Sequence, residues 1–170
     1  FSAVGPDPVK DRMLDSGAKI LVTQPELRKK IESILPDLPD LEKIIIVNKN
    51  NREENALVGE DLSYEELMAS SEPIESIENT SQYDYSIMHY TSGTTGVPKA
   101  AQMTHEALVT SSKNSHIRWQ ITANQRVCHG FPLFHIGGSA CMTLGAAATG
   151  AVSLPLYIFK TNVTLDIIQN

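Results

Sequence analysis

The first part of the chain alternates between a helical and a strand-like pattern of apolar residues. Asp7 before Pro8 is typical of a helix start and Gly17 of a helix end, which predicts a short helix over residues 8–16. Residues 18–23 are then expected to form a buried strand. The chain is therefore predicted to open with a helix that leads into a strand.

The next two apolar segments repeat this order. A helix is expected to begin at Pro25 and to end at Pro36, with aliphatic residues at helical spacing: Leu27, Ile31, Ile34 and Leu35. Residues 43–47 are almost uniformly apolar and β-branched, as expected for a strand covered on both faces of a parallel sheet. This alternation predicts the α/β fold class, with a largely parallel sheet flanked by helices.

The middle of the chain is polar and contains one short helical pattern. Residues 48–59 show no periodicity and are predicted to form a surface loop. Ser63 and Glu66 form a capping box, which predicts a helix that continues to about Met68. Residues 70–82 are acidic and rich in serine, and they are expected to form an exposed loop or linker that ends the first part of the chain, 1–82, before the phosphate-loop segment, 83–170.

The second half of the chain contains four further strand-like segments. Residues 85–90 and 99–103 are expected to form extended segments on either side of a glycine-rich loop. Two more strands are expected at residues 126–130 and 150–155. The final residues, 164–170, have the pattern of the first turns of a helix.

Two helices are expected between these strands. Thr104 is a capping residue with Glu106 in the first turn, and its helix is expected to end near Gln120. One face of this helix carries Leu108, Ser112, Ser115 and Trp119. The tryptophan is expected to lie in the core. Gly137 and Gly138 open a helix rich in alanine and glycine, which can pack tightly against a neighbour.

Composition narrows the possible classes of function. The 170 residues carry a net charge of -6, and the one locally basic segment, residues 27–30, is expected to be the solvated side of a helix. A nucleic-acid surface is therefore not expected. No apolar run is long enough to cross a bilayer. Cys128 and Cys141 lack metal-ligand spacing and are expected to be free, buried thiols, which favours a reducing, cytoplasmic location.

Phosphate-binding chemistry is concentrated in residues 90–100, Tyr-Thr-Ser-Gly-Thr-Thr-Gly-Val-Pro-Lys-Ala. The glycines allow tight turns and a close approach of the backbone to a ligand, and the serine and threonines supply hydrogen-bonding groups. The lysine adds a positive charge. The segment therefore predicts a loop that binds an anion.

Two common nucleotide-binding patterns do not fit this loop. In the Walker loop a lysine directly follows the second glycine and a hydroxyl residue comes next, whereas Lys99 stands three residues after Gly96 and is followed by Ala100. The dinucleotide pattern also fails, because its first glycine is absent and no acidic residue stands where a ribose partner is needed.

The segment from Thr91 to Lys99 instead resembles, position for position, the phosphate-loop signature of the adenylate-forming superfamily, which includes the acyl-CoA synthetases. Thr104-His105 and residues 131–138, Phe-Pro-Leu-Phe-His-Ile-Gly-Gly, continue the resemblance, the latter to a second family motif near the acyl pocket. Residues 1–23 also resemble the corresponding region of acetyl-CoA and medium-chain acyl-CoA synthetases. One departure is Ala100, where family members usually carry glycine.

This resemblance implies an enzyme that uses ATP, Mg²⁺ and CoA to join a carboxylic acid to CoA through an acyl-adenylate. It implies that the loop wraps the β- and γ-phosphates and that Lys99 holds the departing pyrophosphate. The residues implied to bind ATP are Thr91, Ser92, Gly93, Thr94, Thr95, Gly96 and Lys99. Thr94 is also the candidate for contact with magnesium, although the hydroxyls of Thr94 and Thr95 are not distinguished by the motif.

His135 resembles a position that borders the acyl pocket and the adenylate, and it is the candidate catalytic residue. The other histidines are expected to be structural: His89, His105, His116 and His129.

The family's later motifs are absent from these 170 residues. They are a Tyr-Gly-x-Thr-Glu segment, an aspartate for the ribose and a catalytic lysine on a second domain. The chain also begins with Phe1 and ends in the pattern of an unfinished helix. It is therefore expected to be a partial N-terminal AMP-binding domain, 1–170, that is inactive alone and self-associates through apolar surfaces that the longer protein covers.

Two alternatives remain open at this point. The first is an adenylation domain of the same superfamily that loads an acid onto a carrier protein instead of CoA. The second is a non-catalytic nucleotide-binding module that keeps the loop without the chemistry.

Overall fold

The computed structural model describes residues 5–48, 56–76, 78–91, 98–156 and 158–169. The chain divides into two compact units, Phe1–Ile77 and Glu78–Asn170. The predicted surface loop at 48–59 lies for the most part outside the described residues.

The first unit is built on a three-stranded parallel sheet in the order β1-β2-β3. Its register pairs Val22 with Ile45 and Ile45 with Leu62, so the predicted parallel sheet is confirmed here. The elements are α1 (Pro6–Ser16), β1 (Ile20–Thr23), α2 (Pro25–Lys30), a 3-10 helix (Glu32–Asp37), β2 (Lys43–Ile46), β3 (Leu62–Ser63) and α3 (Tyr64–Ser70).

Helices cover one face of this sheet. Ile31, Ile34 and Leu38 form the buried cluster, and Leu21 of β1 packs against it. On the other face of β1, Ile20 and Val22 are 56% and 57% exposed. The prediction of a buried strand at 18–23 is therefore wrong for these two side chains, because among the described residues α1 and the 3-10 helix pack on the opposite face, which carries Leu21.

The helix predicted from Pro25 to Pro36 is divided into two. α2 ends at Lys30, and Pro36 lies inside the following 3-10 helix rather than ending the segment. Proline lacks the N–H group of an α-helical hydrogen bond and its ring clashes with the preceding turn. The chain therefore continues past Pro36 in the tighter 3-10 geometry to Asp37.

The second unit contains a β-hairpin and a parallel strand pair. β4 (Tyr85–Thr91) and β5 (Lys99–Thr104) pair in the antiparallel sense, whereas β6 (Arg126–His129) and β7 (Val152–Pro155) are parallel. The remaining elements are α4 (His105–Arg118), a π-helix (Gly137–Leu144), α5 (Gly145–Thr149) and α6 (Thr161–Gln169). The predicted α/β class is confirmed, with β4 and β5 as the antiparallel exception.

Both predicted capping residues act as caps. The side chain of Ser63 accepts from the N–H of Glu66 at 3.2 Å, at the start of α3. The side chain of Thr104 accepts from the N–H of Ala107 at 3.2 Å, at the start of α4. Each cap satisfies a backbone donor that has no partner within its helix.

The buried face of α4 differs from the predicted one. It is formed by Leu108, Ser112 and His116, which follow one another at intervals of four residues. Trp119 is 49% exposed, so its prediction as a core residue is wrong. The helix ends at Arg118, and Trp119 occupies the C-cap position, where the chain leaves the helical path.

Candidate phosphate loop and histidine site

The β4–β5 hairpin brings together the two ends of the phosphate-loop signature. Thr91, the last residue of β4, pairs with Lys99, the first residue of β5. The hydroxyl of Thr91 donates to the backbone oxygen of Lys99 at 3.3 Å, which closes the hairpin at the base of the loop. The predicted ligand residues Ser92, Gly93, Thr94, Thr95 and Gly96 lie outside the described residues.

The strand register also fixes which side chains share a face with Lys99. Residues that pair across an antiparallel ladder point to the same side, and every second residue along a strand does so too. Lys99 is therefore on the face of Thr91, and His89 and Ala101 form the next pair on that face. Lys99 is exposed at the end of this row, so its ammonium group is accessible to an anion.

These residues suit the binding of a phosphate group. An exposed lysine beside a loop rich in glycine and hydroxyl residues supplies the positive charge and the hydrogen-bond donors that a triphosphate requires. Thr94, the candidate for magnesium, is not among the described residues, so that role stays a prediction. Within the part of the chain that the structure describes, no three histidine, cysteine or acidic side chains come together as a metal site.

His135 is held by the first turn of the helix that follows it. Its ring Nδ1 accepts from the N–H of Gly137 at 3.0 Å. Its backbone oxygen accepts from the N–H groups of Gly138 and Ser139 at 3.0 and 3.1 Å. A neutral histidine whose Nδ1 is an acceptor carries its proton on Nε2. His135 is exposed and therefore presents an N–H donor to a ligand.

Gly138 lies too close to the backbone to accept a side chain. A Cβ at this position would be 2.3 Å from the carbonyl oxygen of Pro132 and 2.7 Å from that of Phe131. The prediction of a tightly packed glycine-rich helix thus has a physical basis in this contact. The helix itself is a π-helix over Gly137–Leu144. This form is rare in proteins overall, and where it occurs it often lies at a functional site.

His116 was expected to be structural, and the sequence pattern did not predict its close contact with Gly145. Its side chain is fully buried on α4. A Cβ added to Gly145 would be 2.0 Å from Nδ1 of His116, so the ring occupies the space beside the start of α5. The interval of four residues from Leu108 through Ser112 to His116 was the available sequence signal, but the glycine partner was not predictable.

The structure brings some of the predicted site residues together and leaves others apart. Thr91 and Lys99 are paired directly. Among the described residues, no hydrogen bond or ion pair joins His135 to either of them. All three belong to the unit Glu78–Asn170. The roles inferred for these residues stay predictions.

The comparisons with known proteins identify the family. The sequence profile of AMP-binding enzymes matches residues 1–169. The chain belongs to the family of AMP-binding enzymes, which confirms the resemblance inferred from its two motifs.

Several of the relatives that the chain matches are named as CoA ligases or synthetases. The chain is 30% identical over 164 residues to 4-coumarate–CoA ligase 4 of Arabidopsis thaliana, an alignment that covers 91% of this chain and 28% of that protein. It is 33% identical over 108 residues to acetyl-coenzyme A synthetase of Rubrobacter xylanophilus, covering 58% of this chain and 17% of that protein. The chain therefore spans less than a third of the length of these relatives.

The solved structures agree with the fold. ATP-bound MatB from Rhodopseudomonas palustris is similar with a TM-score of 0.77 at 19% sequence identity, covering 99% of this chain and 31% of that chain. At this identity the match establishes the fold alone.

Across the described residues, no helix has both the length and the hydrophobicity needed to span a membrane.

Proposed function

We propose that the chain is part of an ATP-dependent carboxylate–CoA ligase. In the first half-reaction a carboxylate oxygen attacks the α-phosphorus of ATP, and pyrophosphate leaves to give an acyl-adenylate. In the second, the thiol of CoA attacks the acyl carbon and AMP leaves. The observation that supports this most directly is the hairpin that pairs Thr91 with an exposed Lys99, in a chain of the AMP-binding enzyme family.

The phosphate loop serves the first half-reaction in this proposal. Ser92, Gly93, Thr94, Thr95 and Gly96 donate hydrogen bonds to the β- and γ-phosphates. Lys99 holds the pyrophosphate as negative charge accumulates on it. Bound Mg²⁺ would neutralise part of the phosphate charge, with Thr94 as its candidate contact.

His135 acts as a hydrogen-bond donor rather than as a proton acceptor in this proposal. Its Nδ1 already accepts from Gly137, which leaves Nε2–H to face a ligand. An N–H donor suits a carboxylate or an adenylate oxygen, both of which carry negative charge. His135 would therefore orient the acid and its adenylate through this bond.

The 170 residues alone are proposed to be inactive. The ribose and catalytic-lysine motifs that the family resemblance implies do not occur in this sequence. The test is carboxylate-dependent exchange of pyrophosphate into ATP, measured for the isolated chain and for the full-length protein that carries it. Exchange is expected only from the full-length protein. Measurable exchange by the isolated chain would refute the proposal that it is inactive alone. If the full-length protein showed no exchange with any acid, the proposal of a carboxylate–CoA ligase would be refuted.

The same assay separates the alternatives. A carboxylate–CoA ligase consumes the adenylate when CoA is added, whereas an adenylation domain for a carrier protein responds to that carrier and not to CoA. A non-catalytic nucleotide-binding module binds ATP without any exchange.

We further propose a cytoplasmic location, which is supported by the free thiols of Cys128 and Cys141. Both cysteines were expected to be buried, but the structure shows them only half-buried.

A further inference from the structure

The helical segment that follows His135 is fixed by close glycine contacts at two points. Near its start, Gly138 lies against the backbone of Pro132, where a Cβ would be 2.3 Å from the carbonyl oxygen. Seven residues later, Gly145 lies against the ring of His116, where a Cβ would be 2.0 Å from Nδ1. Because neither contact leaves room for a methyl group, the segment has little freedom to slide or rotate.

The start of this segment determines where His135 lies. Gly137 donates to the ring of His135, and Gly138 and Ser139 donate to its backbone oxygen. The backbone N–H of His135 in turn donates to the carbonyl oxygen of Pro132 at 3.0 Å. Any movement of the helix therefore moves both the backbone and the ring of His135.

His116 contributes to this arrangement through its shape. Its side chain is fully buried, and no described residue forms a hydrogen bond with either of its ring nitrogens. Its ring lies beside that of Trp119, with ring centroids 5.7 Å apart. Burial of an unpaired polar ring is unfavourable, so its favourable contribution comes from filling the space beside Gly145.

We propose that His116 is a positioning residue for His135, acting through the continuous helical segment from Gly137 to Thr149. Contact with Gly145, where the π-helix meets α5, fixes the hydrogen-bonding turn at the start of the segment. The effect on catalysis rests on the function proposed above, whereas the effect on His135 itself does not.

The first test is the histidine ¹⁵N NMR spectrum of the full-length protein. In the wild type, His135 is expected to show the Nε2–H form with Nδ1 as acceptor. His116→Ala and Gly145→Ala should each shift the His135 signals, and the double variant should move them back toward the wild-type positions. Val109→Ala, on the exposed side of α4, is the matched control and should leave them unchanged.

The outcomes of this test are distinct. Unchanged His135 signals in folded His116→Ala and Gly145→Ala proteins would overturn the proposal. If His116→Ala does not fold, His116→Val replaces it, because valine is larger than alanine but still leaves much of the space beside Gly145 unfilled. Unchanged His135 signals in folded His116→Val would overturn the proposal in the same way.

The second test is kinetic and separates positioning from general stability. His116→Ala is expected to raise KM for the acid about tenfold while KM for ATP changes by less than about twofold. Equal losses for the acid and for ATP, in proportion to lost stability, would overturn the positioning role. Absence of exchange in the wild type would instead refute the proposed function, and the NMR result would still decide whether His116 positions His135.

Discussion

Arg28 and Asp61 form a buried ion pair that links α2 to the residue preceding β3. The Nε of Arg28 donates to both carboxylate oxygens of Asp61, at 2.9 and 3.2 Å, and the side chains are only 5% and 4% exposed. Arg28 also donates to Glu32, one turn further along the chain. The expectation that the basic segment 27–30 is a solvated helix side is therefore wrong for Arg28, although Lys29 and Lys30 are exposed.

The charge state of Arg28 is stabilised by its partners. Burial opposes the charged guanidinium, but the hydrogen bonds to Glu32 and Asp61 outweigh burial and raise the pKa of Arg28 above its ordinary value. A basic group with a raised pKa in the folded state contributes stability at every pH below its unfolded value. The contribution from Arg28 is thus expected to persist through neutral pH and to fade only under strongly alkaline conditions.

Removal of Asp61 is expected to destabilise the first unit. Asp61→Ala leaves the buried Arg28 with Glu32 as its remaining carboxylate partner among the described residues, and it also removes the acceptor of the N–H of Val58. Breaking a buried pair costs about 3 kcal/mol. Urea unfolding followed by circular dichroism should show this loss. Glu60→Ala, at an exposed neighbouring position, is the control and should stay within about 0.5 kcal/mol of the wild type.

Gly138 is expected to tolerate no side chain. Gly138→Ala places a Cβ 2.3 Å from the backbone oxygen of Pro132, and a backbone atom cannot rotate away as a side chain can. The expected loss of stability is about 2 to 3 kcal/mol. Gly130→Ala, whose Cβ would meet the side chain of Phe159 at an ordinary 3.5 Å, is the matched control. Equal midpoints of thermal unfolding for the two variants would contradict this prediction.

The exposed face of β1 is expected to cause self-association of the 170-residue chain. Ile20 and Val22 lie on that face, and β1 is at one end of its three-stranded sheet. An apolar strand at a sheet edge is a template for pairing with another chain. Size-exclusion chromatography should show an elution volume that depends on concentration, and an Ile20→Lys, Val22→Lys double variant should reduce this dependence. A wild-type chain that stays monomeric at all concentrations would rule the association out.

Local features of the fold were predictable from the sequence. The caps at Ser63 and Thr104 are set by hydroxyl side chains next to the helix that they serve, so no distant residue is needed to infer them. The same applies to β2, predicted at 43–47 and observed at Lys43–Ile46, whose β-branched composition is favourable in a sheet. Both strands of the hairpin were also expected, because the loop between them carries its own motif.

Features that depend on distant partners were not predictable. Arg28 and Asp61 are 33 residues apart, and nothing in the basic segment indicates which carboxylate it meets. Burial of His116 depends on a glycine at position 145, and the exposure of Val22 depends on the packing of the hydrophobic cluster against the opposite face of β1. Each of these follows from tertiary packing, which sequence periodicity does not encode.

Lys99 allows the sharpest test of the candidate phosphate site. Its side chain is exposed at the start of β5, so Lys99→Ala removes a positive charge without opening the core, and the expected change in stability is within about 0.5 kcal/mol. If the ammonium group stabilises the departing pyrophosphate, the rate of acid-dependent pyrophosphate exchange by the full-length protein should fall about a hundredfold.

The control for Lys99 is another exposed lysine of the same unit. Lys113→Ala removes the same charge from α4, and its exchange rate is expected to stay within about twofold of the wild type. Lys99→Arg keeps the charge but changes its geometry, and it should recover part of the rate because a guanidinium also binds phosphate. Exchange by Lys99→Ala at the rate of Lys113→Ala would contradict the assigned role. A fall in both variants would show that the effect comes from net charge rather than from a contact at the loop.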